Sequence, residues 1–195
     1  MKLNKVGAHA VLLVALTPLI PLPFLDEVVR AGLLRRSFRL VADSEGVALP
    51  KASLRWLAAE REGCIRGCIT VALLWPLKKF FKTMLYFLTI KECLDWMAEA
   101  SIRTEMVRLS CVDGILPHDP KGARVLMTEV LKAHECSPVM RLLRREVPTI
   151  QDIPQGTFSE RWVYRMATAG GGVAICGAFS ERLNERKAAA LMVEE

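Results

Sequence analysis

Three lysines in the middle of the chain's most apolar stretch constrain it more than any other feature. Between Gly63 and Trp96 the sequence reads GCIRGCITVALLWPLKKFFKTMLYFLTIKECLDW, with Lys78, Lys79 and Lys82 set among Trp75, Phe80, Phe81, Met84 and Phe87. A segment from 69 to 90 is long enough to cross a bilayer, yet the lysines would lie near its middle, each costing about 2.5–3.5 kcal/mol there. About a dozen strongly apolar residues return only ~0.3–0.6 kcal/mol each, so a span loses or at best breaks even. On a helix, Phe80, Phe81, Met84, Phe87 and Leu88 share one side, while Lys78, Lys82 and Thr89 share the other. Such a helix fits the membrane interface, where each lysine gains roughly 1 kcal/mol from anionic headgroups. The alternative is the central helix of a soluble bundle, its aromatic face packed and its lysines solvated. Pro76 removes the backbone bond to the Ala72 carbonyl, which predicts a kink or break near Trp75.

The remainder of the chain reads as helices around this stretch. Hydrophobic residues make up 52% and charged residues 25%, too apolar for disorder, and apolar positions recur at three-to-four spacing. The expected fold is an all-α, irregular bundle of six to eight amphipathic helices, one domain of 195 residues. Lysine and arginine number 27 against 21 acidic residues, so the +6 charge mildly favours an acidic partner such as anionic lipid or nucleic acid. The six cysteines, at 64, 68, 93, 111, 136 and 176, form no paired framework and suit a reducing cytoplasm.

Along the chain, residues 1–25 form an apolar, proline-terminated segment. It imitates a signal peptide, but Pro18, Pro21 and Pro23 follow the apolar run and no Ala-x-Ala-like site precedes Asp26, so retention is expected. The prolines limit a regular helix to about residues 3–17, roughly 20 Å, short of a hydrocarbon core of ~30 Å. That helix is expected to be half-inserted in a bilayer or buried in the core. A helical core follows at 26–146. Its first helix carries Leu25, Val28, Val29, Leu33, Leu40 and Val41 on one face and a basic patch of Arg30, Arg35, Arg36 and Arg39, and ends at Gly46. Lys51 to Glu62 predicts a short helix with Leu54, Leu57 and Ala58 inward. The central helix carries Met97, Ile102, Met106, Leu109 and Val112 before stopping at Asp113-Gly114. Asp119-Pro120 and Ser137-Pro138 each place a capping side chain before a proline, predicting helices at about 120–135 and 138–146. Residues 147–158 are the linker candidate, and Ser159 is the expected cap of a C-terminal helical region, 159–195, interrupted at Gly170-Gly171-Gly172.

Ile20-Pro21-Leu22-Pro23-Phe24-Leu25-Asp26 resembles the Pro-apolar-Pro-apolar-x-Asp turn of EcsC-like bacterial proteins and related helical membrane-associated families, where it follows an apolar helix and opens the next. The likeness covers some 40 residues at most. It implies helical architecture and membrane association, and no mechanism.

No constellation specifies a reaction. Cys64 and Cys68 lie four apart, but zinc needs four ligands, or three and water, and no second close pair exists, so no metal is expected. His118 and Asp119 form the most ionisable loop, in DGILPHDPKG, and carry an alternative reading as an enzyme, although Asp119 is also a helix cap and no nucleophile is identifiable. The glycines at 170–172 lack the Gly-Lys-Ser/Thr of a phosphate loop, so close helix approach or a flexible break is expected, and no cofactor is implied. Basic clusters at Arg35–Arg39, Lys78–Lys82 and Arg141–Arg145 follow no helix-turn-helix or RNA-module pattern, so no specific nucleic acid is expected. The resulting expectation is a non-catalytic protein on the cytoplasmic face of the inner membrane, peripheral or dipping into the bilayer, with an adaptor or assembly role. The membrane-binding residues are Trp75, Lys78, Lys79, Phe80, Phe81, Lys82, Met84 and Phe87. A soluble module whose aromatic face docks a protein partner is the rival.

Overall fold

The computed structural model describes residues 5–19, 25–58, 82–146 and 155–191. Among them the chain is all-α: α1 (Lys5–Ala15), a 3-10 turn (Thr17–Leu19), α2 (Leu25–Ser44), α3 (Lys51–Ala58), α4 (Lys82–Val112), α5 (Pro120–Ala133), α6 (Pro138–Leu143), α7 (Phe158–Ala169) and α8 (Gly172–Leu191). The Pro76 kink, the linker candidate up to residue 154 and most of the Pro-rich turn at 20–26 lie outside the described residues.

The long α4 is the axis on which α1, α2, α7 and α8 pack, while α3 joins α2 to α5 and α5 leans on α8. The buried stripes follow the helical period. Val11, Val14 and Ala15 on α1 meet Leu34, Phe38 and Ala42 on α2, and Ile175, Phe179 and Leu183 on α8 repeat at four-residue spacing against Ile102 and Met106 of α4. The N-terminal apolar helix is thus part of the core, its Ala8, Val11 and Val14 fully buried. At this low polarity only paired polar groups are tolerated. Ser37 on α2 and Thr104 on α4 share a buried hydrogen bond of 2.9 Å, and the nearly buried Glu105 accepts two bonds from Arg108, at 2.9 and 3.1 Å.

Two expected faces shift. On α2 the core stripe is Leu34, Ser37, Phe38, Val41 and Ala42, and Val28 is exposed, because apolar residues occupy so much of this helix that two stripes compete and Ser37 enters with its Thr104 partner. On α4 Val112 is exposed at the last turn, where no helix among the described residues covers it. The cap of α7 is Thr157 and not Ser159. Thr157 and Glu160 form a reciprocal capping box, with the Glu160 carboxylate accepting from the Thr157 backbone N–H at 2.7 Å. The other two caps fall where expected: Asp119 accepts from Gly122 N–H and Ser137 from Met140 N–H.

Gly170 and Gly171 join α7 to α8 as a close approach. A Cβ on Gly170 would stand 2.7 Å from the Cys136 carbonyl oxygen and 2.9 Å from Ala98 Cβ, and Gly171 has φ +81°, so both positions exclude ordinary side chains.

Candidate membrane-facing site

The first turns of α4 differ from the rest of that helix. From Met97 onward α4 buries a continuous stripe, but Tyr86 is 67% exposed, Phe87 61% and Ile90 59%, and Leu88 is exposed as well. Consecutive residues are rotated by about 100°, so Tyr86, Phe87 and Leu88 point in three directions over roughly 200° of arc. Such an arc is wider than one neighbouring helix covers. The exposed portion from residue 86 to 90 is about 7 Å long at 1.5 Å per residue. Lys91 and Asp95 then pair across one turn, and the other Asp95 oxygen accepts from Ser137 Oγ at 2.5 Å, so one carboxylate ties α4 to the start of α6.

Of the residues expected to meet a membrane, Phe87 is an exposed aromatic of α4, and Lys82 and Met84 belong to its first turn. Trp75, Lys78, Lys79, Phe80 and Phe81 lie outside the described residues. Tyr86 and Ile90 extend the exposed set beyond the expected face. Their signal in the sequence is the run Leu85–Leu88, four consecutive bulky residues that point in every direction around the helix.

A second amphiphilic surface was not read from the sequence. On α7, Val163 and Ala167 are buried, and the opposite face exposes Phe158, Arg161, Trp162 and Arg165 at helical spacing. The Phe158 and Trp162 rings stack with centroids 6.3 Å apart, 12° from parallel. The neighbouring α6, which packs on α7, ends in exposed Leu142, Leu143, Arg144 and Arg145. The available signal was the i, i+4 aromatic pair with arginines three residues after each ring.

The basic patch on α2 is divided. Arg30 lies 4.0 Å above the Trp96 ring, Arg35 donates to the Ala31 carbonyl of its own helix at 3.0 Å, and Arg36 and Arg39 are exposed three residues apart. Arg30, Trp96, Glu99 and Arg103 also line a cavity of about 10 Å³, room for at most one water. The His118–Asp119 loop is exposed and contributes nothing to that cavity, and Asp119 is engaged as a cap. Among the described residues no group of three or more His, Cys, Asp or Glu converges as a metal site, and Cys64 and Cys68 lie outside them. Burial pushes the Cys111 and Cys136 thiols up to about 11 and that of Cys176 up to about 12, which keeps them protonated.

No helix among the described residues is long and apolar enough to cross a membrane. Comparison with protein-family models, curated proteins and solved structures returns no match, so any functional reading stands on these residues alone.

Proposed function

We propose that the protein is a non-catalytic, peripheral component of the cytoplasmic face of the inner membrane, binding anionic lipid through the start of α4 and the lysine cluster that precedes it, in an adaptor or assembly role. The observation that carries this reading is the exposure of Tyr86, Phe87, Leu88 and Ile90 over a wide arc of one helix end. A groove on a protein partner covers one face of a helix, whereas the headgroup and acyl boundary surrounds an inserted end. Lys78, Lys79 and Lys82 would remain at headgroup level, where charge and not fit decides affinity.

The test is sedimentation with vesicles containing phosphatidylserine. Exchange of Lys78, Lys79 and Lys82 for Glu removes three attractive charges at roughly 1 kcal/mol each and adds three repulsive ones, so affinity should fall at least about 100-fold with helicity unchanged. Equal binding by the variant, or none by the parent protein, would overturn the reading.

A further inference from the structure

We propose that the corner made by the end of α6 and the outer face of α7 is a second contact with the same anionic membrane surface, an inference that rests on the membrane reading of α4. Leu143 is 71% exposed and Phe158 75%, with Leu142 and Trp162 also exposed. This exposure is built into the fold. The opposite face of α7 is locked in the core by Val163 and Ala167, and the Thr157–Glu160 box fixes its first turn. Four large apolar side chains are therefore held in water by helices that cannot turn them inward.

The chemistry around them selects the occupant. Arg144, Arg145, Arg161 and Arg165 are exposed, and among the described residues none of them forms an ion pair. Guanidinium groups match phosphate and carboxylate geometry, so the patch is complementary to anionic headgroups. Protein interfaces gather apolar side chains at the centre and charges at the rim. Here they alternate along α7 as Phe158, Arg161, Trp162 and Arg165. That alternation suits a lipid interface, where aromatic rings and arginines occupy the same shallow layer, each ring facing the acyl boundary and each guanidinium the phosphates.

Placement supports one footprint. The Asp95–Ser137 hydrogen bond joins α4 to α6. Leu88 lies seven residues from Asp95, hence on the same side of α4 and about 10 Å along its axis, and Leu142 lies five residues from Ser137, about 7.5 Å along α6. The exposed end of α4 and the corner are therefore proposed to meet one bilayer face.

The experiment retains Trp162 as the lone tryptophan, with Trp56, Trp75 and Trp96 exchanged for Phe, and records its quenching by lipids brominated near the headgroup. Phosphatidylserine vesicles should quench Trp162 while pure phosphatidylcholine vesicles do not. Independently, in the otherwise native chain, L142S/L143S/F158S should lower vesicle affinity at least about tenfold with an unchanged circular dichroism spectrum. Vesicle binding with Trp162 unquenched and the serine variant unaffected would overturn the second contact and leave the α4 reading intact. Failure of the native chain to bind vesicles would overturn both. Concentration-dependent shielding of Trp162 from a soluble quencher in the absence of lipid would mean that a second copy of the chain covers the corner, and would also overturn it.

Discussion

The buried thiols make stability depend on pH in a defined direction. Burial raises Cys111 and Cys136 to about 11 and Cys176 to about 12 from an ordinary value of 9.0, with Glu45, Glu99 and Glu105 respectively adding to the effect. Between those values the folded chain holds protons that the unfolded chain has released. The thiols' contribution to stability is therefore fully present below about pH 9 and is lost as pH rises through 11 to 12. Urea midpoints measured between about pH 8 and 10 should drop more for the native chain than for C111A/C136A/C176A. Equal drops would show that the thiols do not carry the linkage. Single residues also mark the limits of reading a sequence. Asp119 and Ser137 were legible as caps because a proline follows each and leaves few other roles, whereas Thr157 was hidden behind Ser159, although its Glu160 three residues on completes the box. The basic patch was legible as composition only. That Arg30 would stack on Trp96 while Arg36 and Arg39 face solvent depends on how α2 meets α4, which no local pattern encodes.

At the scale of elements, α4 combines two environments in 31 residues. Its later turns are core, whereas Tyr86, Phe87, Leu88 and Ile90 are exposed, so loss of an aromatic ring should cost stability in the core it packs on and vesicle binding at the exposed turns. Phe179 of α8 is fully buried against the α4 side of the core, and Phe179→Ala should cost about 3–5 kcal/mol in chemical denaturation. Phe87→Ser should leave the denaturation midpoint within about 0.5 kcal/mol of native while weakening vesicle binding. A large loss of stability in Phe87→Ser would mean that the ring is packed and not presented. Helix positions were legible because caps, prolines and periodicity are local. Faces were less so where apolar residues exceed one stripe, as on α2, because the choice between Val28 and Leu34 is made by the partner helix. The α6–α7 corner was missed for the same reason: Phe158 and Trp162 at i, i+4 look like a core stripe until Val163 and Ala167 are seen to occupy the core.

For the molecule as a whole, the order in which the pieces are made matters. The apolar helix α1 is synthesised before the helices that close its core face, α2, α4 and finally α7, which begins at Phe158. At roughly 5–20 residues per second, the ribosome takes about 7–28 seconds to add the intervening ~140 residues. Throughout that time Ala8, Val11 and Val14, fully buried in the finished protein, have only part of their cover. A nascent chain stalled before α7 should remain sensitive to protease near α1, and one stalled after α8 has emerged should be protected; early protection would mean that α2 and α4 suffice. An apolar helix that waits on a late partner is a surface that chaperones should recognise, so slowing translation between α1 and α7 should lower the yield of folded protein.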